Sequence, residues 1–262
     1  MNFNIAKNSN KLVELADGVD SYSIYWTSFT TRLYNYAMVG KSLGVITGNT
    51  WERDDNGNII FHELSASQKA LYGGEYVPTY NQNTLDELGN FHPDFTGGFN
   101  TSISFKNFRL SANIDFSVGG QIVSYTNMWG SSSGILDKTA ELNDRGVNVR
   151  EPVSKGGGIH MTGVDQDGNK VDTYVNAKLY YTTASRVWEE WVYDRTYVKL
   201  REVSLSYVFP SQTLKKLNIG LSRASVAINA SNPWLIYSAC PNVDVSEIGT
   251  VSYTHLTLPT IA

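Results

Sequence analysis

The chain has 262 residues and a formal net charge of −4, with no block of basic residues, which argues against a nucleic-acid partner. Its one cysteine, Cys240, excludes an intrachain disulfide and a thiolate metal site. No apolar run reaches the roughly 18 residues that a membrane helix needs. The length suits one β domain or two smaller ones. Charged residues are low at 18% and aromatics high at 12%, and 22 glycines and 16 tyrosines suit a strand-rich chain with many turns. A mean hydropathy of −0.26 does not weigh against a membrane barrel, whose strands are polar at every second position.

In chain order, Phe3-Asn4-Ile5-Ala6 reads as the end of a strand, followed by a turn-forming run to Lys11. Met1 to Lys11 has neither the charged nor the apolar part of a signal peptide, so either a cytosolic chain or a missing true beginning is expected. Leu12 to Phe95 is long and irregular, with strand-like pieces at Ser23–Trp26 and Gly44–Thr47 and a hairpin signal at Asn56-Gly57. Two strictly alternating runs then follow, separated by Lys106-Asn107, which leaves room for a tight hairpin turn only. Phe99, Thr101, Ile103 and Phe105 face one way in the first run; Phe108, Leu110, Ala112, Ile114, Phe116 and Val118 share a face in the second. Ser102, Ser104, Arg109, Ser111, Asn113 and Asp115 fall on the opposite, polar face. Each run matches the 9–11 residues of a tilted membrane-crossing strand. A soluble sandwich would cover the apolar face with a second sheet, whereas a barrel would turn it to lipid.

A second long stretch runs to about Arg195, with a hairpin signal at Asp167-Gly168-Asn169 and an aromatic cluster of Tyr174, Tyr180, Tyr181, Trp188, Trp191 and Tyr193. These rings have two readings: an interfacial girdle or loop packing, or stacking on a sugar or partner protein. Alternation returns in Tyr197–Phe209, stops at Pro210, and resumes at Ala224–Ser231 after a shorter connection. Long and short connections in alternation are the layout of a membrane barrel with two unlike sides. The chemistry-bearing candidates are weak. Glu189-Glu190 are neighbours expected to diverge on a solvated loop. His62, His92, His160 and His255 share no ligand spacing. Gly156-Gly157-Gly158 lacks the rest of a phosphate loop and reads as a flexible loop. Asp165, Asp167 and Asn169 have calcium-loop-like spacing without its terminal Glu, which a hairpin turn explains.

His92–Phe99, Phe105–Ser111, Asp194–Pro210 (DRTYVKLREVSLSYVFP), Ala227–Trp234, Pro241–Asp244 and the glycine segment Val39–Gly48 together resemble the SusC/RagA family of TonB-linked outer-membrane transporters. The run to Pro210 is the most specific part. Ser42 and Val245 stand where the family usually has proline. The resemblance implies an all-β fold: an antiparallel, open partial sheet from the C-terminal part of a large transmembrane barrel with long extracellular loops. It assigns residues 1–249 to that partial barrel, without plug or TonB-contacting segment. Val251–Thr260 resembles the translation of a DNA-library adapter, so 250–262 is expected to be an artefactual tail.

By the same resemblance the whole protein is an outer-membrane importer of glycan or peptide fragments and not an enzyme, with no cofactor or metal. Its partners would be a SusD-like surface lipoprotein and TonB. Ser102, Ser104, Arg109, Ser111, Asn113 and Asp115 would line the lumen, and Tyr180, Tyr181, Trp188 and Trp191 would contact ligand or lid. The competing readings are a soluble, secreted β-sandwich that binds carbohydrate and a secreted glycoside hydrolase; the latter lacks a convincing carboxylate pair. The barrel reading expects Tyr197–Phe209 to pair antiparallel with Phe108–Val118. It also expects the chain expressed by itself to form inclusion bodies without detergent, because barrels of this type have about 22 strands and an open sheet leaves unpaired edges. A soluble, monomeric, cooperatively melting product from residues 1–249 would instead mark a complete domain.

Overall fold

The computed structural model describes residues 1–27, 32–82, 85–217 and 220–247; the tail expected at 250–262 lies outside the described residues. The chain divides into two compact units. One comprises Met1–Asn10, His92–Gln121 and Asp194–Gly249, and the other Lys11–Phe91 and Ile122–Tyr193.

The first unit is a five-stranded antiparallel sheet, in the order Asn2–Ala6, Phe95–Phe105, Phe108–Val118, Tyr197–Val208 and Ser225–Ser238. The hairpin turn is the expected one, and Lys106 takes the left-handed region there (φ 53°). The expected long-range pairing is present, running from Tyr197↔Ser117 to Tyr207↔Phe108. Phe209 falls just beyond the strand, its N–H donating to the Ala224 carbonyl at 3.0 Å.

Residues directly opposite in a sheet share a face, so the registers sort the side chains into rows. Ile103, Leu110, Leu205 and Ile228 form one row across four strands. Phe105, Phe108, Tyr207 and Val226 form the next, toward the hairpin turn. Phe99, Ile114, Leu200 and Trp234 form one toward the other end, joined by Phe3. The aliphatic row is 56%, 46%, 46% and 74% exposed. A sandwich requires this face to be covered by a second sheet, and among the described residues the first unit has none.

Tyr197–Val208 contains an irregularity that periodicity had to absorb. Lys199 and Arg201 have one parity, and Glu202, Ser204 and Ser206 the other. A regular strand would drive one of these sets into the apolar face. The register instead shifts between Leu200 and Glu202 against both neighbouring strands, leaving Arg201 as an extra residue. On the adjacent strand the pairing skips Asn232 and Pro233; Asn232 is left-handed (φ 50°), and its Oδ1 accepts from Arg201 Nη1 at 3.2 Å. Pro233, which has no N–H to offer, sits at the break in the ladder.

The second unit is where sequence reading saw mainly loops, and it has a body of its own. One four-stranded sheet takes Ser21–Thr27, Leu33–Met38, Val45–Gly48 and Asp86–Asn90 in order. The other takes Lys170–Val175, Ile159–Asp165, Ile60–Glu63 and Tyr76–Pro78. Its central pair, Ile159–Asp165 against Ile60–Glu63, is parallel, unlike the five-stranded sheet of the first unit, which is antiparallel throughout as expected. Short helices also appear. Ser65 and Gln68 make a reciprocal capping box on Ala66–Tyr72. Ser124 caps Tyr125–Ser132, and Asn176 caps Ala177–Ala184. Leu33, Ile46, Trp51, Met128, Val187 and Trp188 are among the buried core residues.

Both anticipated turns form, with Gly57 and Gly168 left-handed (each φ +84°). The Asp165 carboxylate accepts the N–H groups of Asp167 and Asn169, each at 2.9 Å, so the calcium-like spacing is an Asx turn. The glycine triplet is packed rather than loose, correcting the flexible-loop expectation. Asn143 Nδ2 donates to the Gly156 and Gly158 carbonyls at 2.8 and 3.1 Å. A Cβ on Gly157 would sit 2.0 Å from the Glu151 carbonyl oxygen, an obstacle of backbone that no rotamer relieves. Gly157→Ala is therefore expected to destabilise this unit by about 1–3 kcal/mol, read from the denaturant midpoint.

Candidate functional site

The polar face of the sheet collects the six residues expected there. Ser102 lies opposite Ser111, Ser104 opposite Arg109, and Asn100 opposite Asn113. Ser204, Ser206 and Glu202 extend these rows on the next strand. Toward the end from which the chain leaves at Val118 and re-enters at Tyr197, the face becomes charged and cross-linked. Arg201 Nε donates to Asp115 Oδ2 at 2.9 Å, and the Tyr197 hydroxyl donates to the same oxygen at 3.3 Å. Lys199, 2% exposed, donates to Asp244 Oδ2 at 2.6 Å. Asp244 also accepts from the Ser246 hydroxyl at 2.6 Å. Of this cluster the sequence pattern singled out Asp115 alone. The parity change at Arg201-Glu202 was the signal that would have found the rest, because a strand that keeps two charged parities on one face needs a bulge.

Tyr180, Tyr181, Trp188 and Trp191 belong to the second unit. Trp188 and Trp191 are 0% and 1% exposed and lie in its core, with Trp191 Nε1 donating to the Ala184 carbonyl at 2.7 Å. Packing, not an interfacial girdle, is what these two indoles do. Trp188 contacts the Tyr125 ring edge-on, with centroids 5.2 Å apart. Tyr180 stacks on Trp51 and meets Tyr181 edge-on. Tyr180, Tyr181 and Trp191 border a cavity of about 290 Å³ together with Lys138, Glu141 and Glu190. Burial pushes the Tyr181 hydroxyl up to about 12, and Tyr180 further still, the nearby Glu190 charge adding to both.

Glu189 and Glu190 do diverge, but neither is a solvated loop residue. They lie in a 3-10 turn, Trp188–Trp191. Glu190 accepts from Trp51 Nε1 at 2.6 Å, and Glu189 pairs with Arg53 at 2.5 Å. Burial raises the Glu189 carboxyl above its ordinary value, against the pull of Arg53. His160 is held between two carboxylates, with Nδ1 2.9 Å from Asp144 and Nε2 2.7 Å from Asp172. Its ring stacks on Tyr174, and the Arg145 guanidinium covers Tyr174 at 3.4 Å. Tyr174 completes the tie by donating its hydroxyl to Asp144 at 2.6 Å. No group of three or more His, Cys, Asp or Glu able to hold a metal occurs among the described residues.

An amphipathic sheet whose strands neighbour in sequence order, with a folded body in its long connections, defines the class: the chain is similar to TonB-dependent receptors of the SusC/RagA kind. Over 250 residues, 92% of its length, it is 27% identical to the TonB-dependent receptor P3 of Formosa agariphila, of which it covers 22%. Its fold matches that of the RagAB peptide transporter with a TM-score of 0.51 at 15% identity, over 90% of this chain and 23% of that one. The RagAB peptide importer in its "open-open" state gives a TM-score of 0.54 at 14% identity over the same shares. No family model matches the chain. The chain spans about a fifth of the length of the relatives it matches.

The Asp144 tie carries a pH dependence. Its carboxyl is held below the ordinary 3.8, chiefly by the Tyr174 hydroxyl, against the opposing effect of burial and with a lesser contribution from His160. A depressed carboxyl contributes stability that is complete above the unfolded-state value and is lost as pH falls through the folded one. Thermal unfolding followed from about pH 5 down to about pH 2 should show this loss, and Asp144→Asn should remove that component of it.

Proposed function

We propose that this chain forms part of the wall and outer loops of an outer-membrane, TonB-dependent importer. The observation that carries the reading is the uncovered aliphatic row Ile103, Leu110, Leu205 and Ile228 on a sheet whose other face is polar along the two hairpin strands and mostly polar beyond them. In water such a face is a liability; against lipid it is the requirement. The central hairpin strands have 11 residues each. At about 3.3 Å per residue and a tilt of about 40°, such a strand reaches roughly 28 Å, which covers an apolar band of about 25 Å. Aromatic rings mark both ends of that band. Phe108 packs on Tyr207 and Tyr207 on Phe209 at the hairpin end, with ring centroids 4.7 and 5.1 Å apart. Phe3 stacks on Phe116 at the other end. These strand residues, rather than the loop aromatics, suit the headgroup girdles.

In this reading Ser102, Ser104, Arg109, Ser111, Asn113 and Asp115 face the lumen, with Lys199 and Arg201 above them toward the outer rim. The cargo is a peptide or glycan fragment. The RagAB likeness favours peptide, and the same likeness motivates a SusD-like surface lipoprotein as lid and TonB as the energy source. Leu110→Arg tests the lipid assignment. In the full-length barrel, an arginine on the lipid face costs about 2–4 kcal/mol at the bilayer midplane and about 0–1 kcal/mol near the interfaces. Leu110 lies one row in from the hairpin end, so folding into vesicles should weaken by about 1–2 kcal/mol. At the same exposed position in a water-soluble protein the substitution would change stability by no more than about 0.5 kcal/mol, and that outcome would refute the membrane assignment.

A further inference from the structure

The cavity of about 290 Å³ in the second unit has a wall chemistry of its own. Tyr180, Tyr181 and Trp191 supply aromatic surface, and Glu141 and Glu190 bring two negative charges against the single positive charge of Lys138. The wall itself is left with one negative charge in excess, and Arg150, outside the wall, brings a positive charge that also reaches Tyr181. A cation already uses this wall: the Lys138 ammonium sits 4.2 Å from the Trp191 centroid and 5.9 Å from that of Tyr181. An ammonium over a ring face is attracted by the ring quadrupole. The arrangement disfavours a neutral sugar, because the indole face on which a sugar would stack is occupied by the lysine. Burial lowers the Lys138 amine from its ordinary value, while Glu190 and Glu141 pull the other way. The ammonium is thus held there at a desolvation cost, by the rings and carboxylates around it.

We propose that this cavity is a binding site for a primary ammonium group on a ligand, with Lys138 as the internal group that competes for the same rings and carboxylates. The size fits one side-chain-like group, at the bottom of the range of about 300–1,000 Å³ for small-molecule pockets. Two sources share this chemistry: a peptide, through its N-terminal amine or a lysine, and an amino sugar. The site lies wholly within the second unit and does not rest on the transport reading. The Leu110→Arg test can fail while this site stands, and the reverse.

The experiment uses the full chain folded in detergent, titrated with n-butylammonium and with neutral n-butanol and followed by calorimetry. Butylammonium should bind at least about tenfold more tightly than butanol. Lys138→Met, which removes the competitor, should tighten butylammonium about fivefold, and Glu141→Gln, at an exposed position that leaves the core intact, should weaken it about as much. A lysine-containing tripeptide and glucosamine, each compared with its N-acetylated form, then distinguish the two sources. Acetylation should abolish binding of whichever is the ligand. Equal binding of butylammonium and butanol, or unchanged affinity in both variants, overturns the proposal.

Discussion

The main-chain ladder between Phe108–Val118 and Tyr197–Val208 is the constraint on which the rest depends. It joins segments so distant that the Arg201–Asp115 pair on it spans 86 residues. Every N–H and C=O on these strands needs a partner, and in an apolar medium an unmatched group costs several kcal/mol. The ladder therefore obliges everything between the two strands to leave and return at the same end of the sheet. It also sets the register that places aliphatic residues in one row and serines and asparagines in the next. A slip of one residue would reverse both faces at once.

The bulge at Arg201 shows how that constraint is reconciled with charge. Five polar or charged residues of one strand belong to two different parities, yet all are needed on one face. Inserting a single unpaired residue shifts the phase, and the left-handed Asn232 with Pro233 accommodates the shift on the neighbouring strand. The outcome is a cluster in which Asp115 meets Arg201 and Tyr197, and the nearly buried Lys199 meets Asp244. Local irregularity and side-chain chemistry arrive together because the side chain that is re-aimed is the one that makes the ion pair.

The long connections solve a different problem. Segments of this length do not stay structureless beside a folded sheet unless they are disordered. These instead bury Trp51, Trp188 and Trp191, and tie Trp51 and Trp191 by hydrogen bonds to Glu190 and the Ala184 carbonyl. The same core that buries Trp188 completely leaves Tyr180, Tyr181 and Trp191 bordering an open cavity whose wall holds one more carboxylate than ammonium.

By itself the sequence determined what is local and periodic. Strict alternation specified the hairpin strands Phe95–Phe105 and Phe108–Val118 and both their faces. Lys106-Asn107 specified the hairpin, and Asn56-Gly57 and Asp167-Gly168 their turns, because each is written in consecutive residues whose backbone preferences agree. Ser65 and Gln68 also spell a helix start, though within a stretch whose composition is otherwise that of a loop. Tertiary structure alone decided the matters that depend on distant partners. Whether Trp188 is a ligand platform or core turns on Leu33, Ile46 and Tyr125, which lie far from it in sequence. Whether Gly157 is loose or packed turns on the Glu151 carbonyl folding back upon it. The Glu189-Glu190 pair reads as solvent-exposed until Arg53 and Trp51 are brought alongside, more than 130 residues away. Burial and pairing are properties of neighbours in space, and a period of two says which way a side chain points but not what it meets.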